Sequence, residues 1–283
     1  MNARSRAATA GLLAPPTFEL DQPTMVRVRE QLESGIADAL AGLAPGDAIE
    51  VGLPLLRRAR YHPELLNLAD QPFAWKPAFV RRSLGLEVVR ACAQGRFRGP
   101  ADAVGPVADH AIEVCRRTGR RTVHWEPWLA GLGQGARSVV LAEAVAWATP
   151  VWVAFDWAVL LAAAELGGPD DRWTSPKGGA VHLKGRVEAR VRSDRGRSSL
   201  VSVASGRPED GWRDELGYLA LVAALGADDL PVVSRVIGLW PECGYRLVVE
   251  IDEAALTGAV DRVVDTVAAM ADVRNSVPAI EVA

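Results

Sequence analysis

The sequence predicts an α/β fold, with a central mixed β-sheet flanked by helices and a helical N-terminal portion ahead of it. Three observations carry this. Residues 182–206, HLKGRVEARVRSDRGRSSLVSVASG, hold two apolar, β-branched runs, 181–191 and 200–203, on either side of a charged, glycine-containing turn. That is the pattern of two strands joined by a tight connection. Residues 211–225, GWRDELGYLALVAAL, then place Leu216, Leu219, Ala220 and Ala223 at helical spacing. Residues 230–270 read as a proline-led strand (PVVSRVIGLW), a turn (PECG), a strand (YRLVVEI) and Asp252 opening an amphipathic helix.

In chain order, residues 1–20 carry Arg4 and Arg6 but too short an apolar run for a signal peptide, and are expected as a mobile tail. A helix is expected after Asp21, capped by Thr24, with Val26, Val28, Leu32, Ile36 and Leu40 at helical spacing and Pro45-Gly46-Asp47 ending it. Residues 49–55 read as a short strand or an extended link to a basic cluster, Arg57, Arg58 and Arg60. Residues 71–94 open with Phe73 and Trp75 and continue as a helix bearing Lys76, Arg81, Arg82 and Arg90. Residues 100–117 form another helix, closed by Gly119, whose His110 has no partner at metal-ligand spacing.

Arg116 and Arg117 suit a helix C-terminus. With Arg120, Arg121 and His124-Trp125-Glu126 they also interleave charge with an aromatic, as single-strand binders do. The glycines from Gly131 to Gly135 follow a helical segment and lack the Gly-Lys-Ser/Thr of a phosphate loop. Residues 138–166 are strongly apolar, with Trp147, Trp152, Phe155 and Trp157, and Pro150 is expected to divide them into two helices. A polar loop, 167–179, leads into the strands. The organisation is a tail, 1–20, and one domain, 21–283, helical over about 21–170 and sheet-forming over about 178–273.

Composition narrows the classes. A chain of 283 residues can bury a large core, and a net charge of −3 with a pI near 5.9 offers no global attraction to nucleic acid. The longest apolar stretch, 144–166, contains Asp156 and Glu165, so no membrane partner is expected. Cys92, Cys115 and Cys243 lie far apart with no C-x-x-C pair for zinc. They are expected as reduced core residues of a cytoplasmic protein. The chain has nine tryptophans, and an exposed subset would mark a partner surface.

The strand–turn–strand–helix core resembles the PD-(D/E)XK nuclease superfamily, in its RecB-type branch of high-GC, actinobacterial-like bacteria. The first strand's frame falls on Gly185, Arg186, Val187 and Glu188. The second falls on Val201, Ser202, Val203, Ala204, Ser205 and Gly206, and the following helix carries Asp214 and Tyr218. An upstream helix motif of glycine, histidine and glutamate falls on Gly85, Val89 and Ala93. The resemblance covers roughly residues 70–270 and implies a restriction-endonuclease-like core.

It also implies Mg²⁺-assisted phosphodiester hydrolysis, in which carboxylates hold the metal and a lysine orients water. Here the chemistry departs from the frame. The first carboxylate is Glu188 instead of aspartate, the second is Ser202, the lysine is Ala204, and the helix motif offers Val89 and Ala93. The site is therefore expected to be degenerate, with no cofactor unless Mg²⁺ persists at Glu188. Some members carry an iron–sulfur cluster, which takes four cysteines; this chain has three.

The expectation is a catalytically inactive nuclease-like protein that binds nucleic acid or a protein partner. DNA binding would use Arg186, Arg190 and Arg192, which share one strand face by period two, with Arg82 and Tyr218. Two alternatives stand beside it. One is a protein-interaction scaffold, by self-association or with a partner. The other is an active nuclease with its site relocated to Glu188 and Lys184, or His182, drawing on Glu87, Glu209, Asp210 or Asp214.

Overall fold

In a computed structural model of the chain, two hydrophobic clusters lie on opposite faces of one five-stranded sheet. The structure describes residues 3–15, 20–41, 48–68, 75–119, 125–160, 164–166, 171–176, 179–193, 197–204, 206–226 and 232–276. Pro45-Gly46-Asp47, Phe73, Arg120, Arg121, His124, Arg195, Ser205 and parts of the 167–179 loop lie outside them.

The helices and strands run in the order α1 (Ala3–Leu13), α2 (Gln22–Ala39), β1 (Ile49–Val51), α3 (Leu53–Tyr61), α4 (Pro77–Ala93), α5 (Pro100–Thr118), α6 (Trp125–Ala130), α7 (Gln134–Ala154) and α8 (Trp157–Leu160). There follow β2 (Ala164–Leu166), β3 (Asp171–Thr174), β4 (Val181–Gly185), β5 (Ala189–Ser193), β6 (Arg197–Val203), α9 (Trp212–Leu225), β7 (Val232–Trp240), β8 (Tyr245–Glu250) and α10 (Glu253–Ser276). The large sheet has the order β2-β5-β6-β7-β8, antiparallel throughout except for the parallel pair β6/β7 that α9 connects. A three-stranded sheet, β1-β4-β3, pairs β1 parallel and β3 antiparallel to β4. The predicted α/β class, with helices ahead of a mixed sheet, is what forms.

Side-chain alternation assigns the two faces. Ala189, Val191, Val201, Val203, Ile237 and Leu239 join the cluster built with α1, α4 and α7, while Leu200, Val236, Trp240 and Val249 join the one built with α9, α10, α2 and the small sheet. Helix α9 is buried continuously from Leu216 to Ala223, because the large sheet, the small sheet and α10 all pack around it. The β6/β7 register skips from Ser198/Val233 to Ser199/Arg235, a bulge that reverses which face the following β7 residues present.

Several expectations are corrected. The run 181–191 is two strands in different sheets: β4 ends at Gly185, where a Cβ would lie 3.3 Å from the Val222 side chain, and the chain bends before β5. Residues 3–13 form a docked helix where a mobile tail is expected. Ala8 and Leu12 are buried, the Ser5 hydroxyl donates to the Val153 carbonyl at 2.6 Å, and the Ser199 hydroxyl donates to that of Leu12 at 3.1 Å. The cap of α2 is Asp21, whose carboxylate accepts the Thr24 N–H at 2.9 Å. Pro150 does not divide its helix; α7 runs through it and ends at Ala154. Gly119 closes α5 as expected, with φ 63°.

Candidate functional site

The positions on which the nuclease frame falls do not share one face of the sheet: Val89 and Ala93 belong to the cluster under α4, whereas Ala204 packs against the opposite cluster and Ser202 alternates away from Val201 and Val203. Gly85 lets α4 approach α7 closely, since a Cβ there would lie 2.4 Å from the buried Trp147 ring. Further along α4, Val89 and Ala93 are both buried in the same cluster. Methyl groups therefore pack where the motif would present an imidazole and a carboxylate.

One turn earlier, Arg81 and Arg82 each reach a glutamate that also accepts a backbone N–H, from the last residue of β6 for Glu188 and from Gly206 beyond it for Glu242. Arg82 donates to Glu188 Oε1, through Nε at 3.1 Å and through its terminal nitrogen as an ion pair. Glu188 Oε2 accepts the Val203 N–H at 2.6 Å. Arg81 donates to Glu242 Oε1 at 2.9 Å, and Glu242 Oε2 accepts the Gly206 N–H at 2.8 Å. The Glu188 side chain is 3% exposed, so its charge is balanced inside the protein by the guanidinium.

A Mg²⁺ site needs several oxygen ligands, and a single carboxylate with both oxygens occupied supplies none to spare. Its expected co-ligand Ser202 is a buried hydroxyl, and Ala204 is half-buried and offers no charge. Among the described residues, no group of three or more His, Cys, Asp or Glu side chains is placed to hold a metal. The residues present do not fit Mg²⁺.

Lys184 and Glu188 are not brought together. Lys184 lies on β4 in the small sheet, with Nζ 3.3 Å from Glu50, whereas Glu188 follows the bend and faces α4. His182 shares a hydrogen bond with Thr174 at 2.9 Å. Asp214 pairs with Arg60 and, at 3.3 Å, with Arg262.

The expected arginine row is also divided. Arg186 sits in the bend before β5 and is exposed; Arg192 is exposed on β5. Arg190, on the same face of β5 as Arg192, is buried and places one nitrogen 2.8 Å from both carboxylate oxygens of Asp171. It ties the two sheets together instead of lining a groove. Arg82 is half-buried and committed to Glu188.

Tyr218 is fully buried. Its hydroxyl donates to the Val51 carbonyl at 2.7 Å and accepts the Lys184 N–H at 3.2 Å, bridging the ends of the parallel pair β1/β4. Burial holds this phenol well above its usual value, and Glu50 adds to the effect against the opposing hydrogen bond from Lys184. Of the basic cluster before α4, Arg57 meets both oxygens of Glu215 at 2.7 and 2.6 Å, and that hydrogen bonding raises its pKa.

The tryptophans form no exposed set. Trp125, Trp147, Trp157, Trp173 and Trp240 are buried, and Trp75, Trp128, Trp152 and Trp212 are half-buried. A cavity of about 280 Å³ opens on the other side of α4, among Glu87, Arg90, Arg96, His110, Cys115 and Glu126. No sequence motif pointed to it, because its lining is assembled from three separate helices, α4, α5 and α6. Asp171 and Glu242 escaped notice for the same reason: each meets its arginine across a long stretch of chain.

No family model matches this chain, and no curated protein matches it. A solved structure titled "Crystal structure of SSO0001" aligns with 85% of this chain and 85% of its own at 15% identity, with a TM-score of 0.32. That likeness carries no argument here. No described helix is long and apolar enough to cross a membrane.

Proposed function

We propose that this chain is a catalytically inactive PD-(D/E)XK nuclease-like protein, related to the RecB-type branch and retained as a nucleic-acid-binding module in the cytoplasm. The observation that supports inactivity is the state of Glu188. The one acid left at the degenerate positions is ion-paired to Arg82 and hydrogen-bonded to the Val203 N–H. The guanidinium delivers fixed positive charge to Glu188, and it cannot supply the Lewis acidity that polarises a phosphate or ionises water. No cofactor follows from this reading.

Binding would rest on the exposed Arg186 and Arg192, with Arg190 acting only through the fold. The test is fluorescence anisotropy with labelled single- and double-stranded DNA in EDTA, over a range of salt. Salt-sensitive binding that falls when Arg186 and Arg192 are both changed to Glu supports the proposal. Unchanged affinity in that variant overturns it. A protein partner is the second reading. The pairing of the arginines within the chain favours it, since Arg57, Arg60, Arg82 and Arg190 each hold a carboxylate of this chain.

A further inference from the structure

The outer edge of the large sheet is β8, which pairs with β7 and with no other described strand. Its six residues read Tyr-Arg-Leu-Val-Val-Glu. The Ile251 N–H bonds to the Ser234 carbonyl at 2.9 Å, in register with the β7/β8 pairing. In an antiparallel ladder this fixes the alternation. The backbone groups of Tyr245, Leu247 and Val249 face β7, and those of Arg246, Val248 and Glu250 face outward. The bond from the Ala204 N–H to the Leu239 carbonyl agrees, because Leu239 stands opposite Arg246 and turns its carbonyl toward β6.

Natural sheets guard such an edge with prolines, bulges or a surplus of one charge. This one has none of these. Its outward residues are one cation, one apolar residue and one anion, with Arg246 exposed, Val248 42% exposed and the Glu250 side chain 31% exposed. Arg246 makes no ion pair among the described residues, and the turn before the strand carries Gly244 at φ 71°.

We propose that two copies of this chain associate through β8, antiparallel and about a two-fold axis at Val248. Only outward backbone groups can pair across the edge, so Arg246, Val248 and Glu250 must meet one another. Centring on Val248 sets Val248 against its own copy and Arg246 opposite Glu250 of the second copy, on both sides of the axis. Sliding by two residues sets one charge against valine. Sliding by four sets Arg246 against Arg246 or Glu250 against Glu250, which is unfavourable. The self-complementary pattern is what an isologous interface requires, and backbone pairing along an edge is an established way to build one. Glu250 already holds Arg235 at 3.0 Å, so the incoming Arg246 completes a three-membered network on the face that α4 and α7 leave uncovered.

Sedimentation velocity of the full chain across a concentration series tests this, with far-ultraviolet circular dichroism as the control for folding. The wild type is expected to shift from monomer to dimer as concentration rises. Arg246→Glu sets like charges opposite each other twice and should weaken the dimer roughly tenfold or more. Arg246→Lys should keep it. Val248→Pro removes an N–H that faces away from β7 and has no backbone partner among the described residues, at an edge position where proline is tolerated, and should abolish the dimer. A wild type that stays monomeric up to its solubility limit overturns the proposal. So does a dimer indifferent to both Arg246→Glu and Val248→Pro.

Discussion

Arg82 on α4 and Glu188 before β5 form an ion pair in which the carboxylate is almost wholly buried and the guanidinium reaches it from a half-buried position. The second carboxylate oxygen takes the Val203 N–H, so three segments meet at one side chain. Removing Arg82 leaves the charge of Glu188 without its partner. Loss of one member of a buried pair costs about 3–5 kcal/mol, and solvent reaching the Arg82 side brings the expectation for Arg82→Ala to about 2–3 kcal/mol. Changing both residues to methionine should recover most of that loss. Urea unfolding of Arg82→Met, Glu188→Met and the double variant measures the coupling.

Arg190 and Asp171 are more deeply buried, at 8% and 13% side-chain exposure, and join β5 of the large sheet to β3 of the small one. Arg190→Ala should cost about 3–5 kcal/mol in chemical denaturation. A loss of DNA binding in that variant would then report unfolding, whereas Arg186→Glu alone, at an exposed position, should leave the unfolding free energy within about 0.5 kcal/mol of wild type.

Tyr218→Phe deletes the hydroxyl that bridges Val51 and Lys184 and should cost about 1–3 kcal/mol, since a buried carbonyl and N–H lose their partner. The phenol also sets an alkaline limit. Its folded pKa is raised above the unfolded value of 10.0, so the stability it contributes is complete below that pH. Above it the unfolded chain ionises first and stability falls. The variant should show a shallower decline in stability above pH ~10 than wild type.

Gly85→Ala improves helix propensity by about 1 kcal/mol, yet its Cβ would lie 2.4 Å from the Trp147 ring. Trp147 is buried and cannot swing away, so overpacking of about 1–3 kcal/mol should leave the variant less stable than wild type. Thermal unfolding followed by tryptophan emission gives the sign directly.

Much of the fold was legible because hydrophobic period and local chemistry agree. Helix α9 carries its apolar residues at helical spacing, the β7–turn–β8 tail alternates as strands do, and Gly119 sits where a left-handed helix end requires it. What was not legible depends on tertiary context. A run of alternating residues from Val181 to Val191 looks like one strand, and only the approach of Val222 to Gly185 makes it two. Arg190 and Arg192 are equivalent by period, and Asp171, distant in sequence, is what makes one internal while the other stays exposed. At the candidate site, the departures of Val89, Ala93, Ser202 and Ala204 from the nuclease frame could be read from residue identity alone. The pairing of Glu188 could not, because Arg82 lies more than a hundred residues earlier in the chain.

The most direct test of the central claim is a cleavage assay of the wild type and Glu188→Gln on single- and double-stranded DNA with Mg²⁺ or Mn²⁺. If Glu188 is bound to Arg82 instead of a metal, neither protein cleaves and the two are indistinguishable. Metal-dependent cleavage by the wild type that disappears in Glu188→Gln would contradict the account and place a working nuclease centre at that carboxylate.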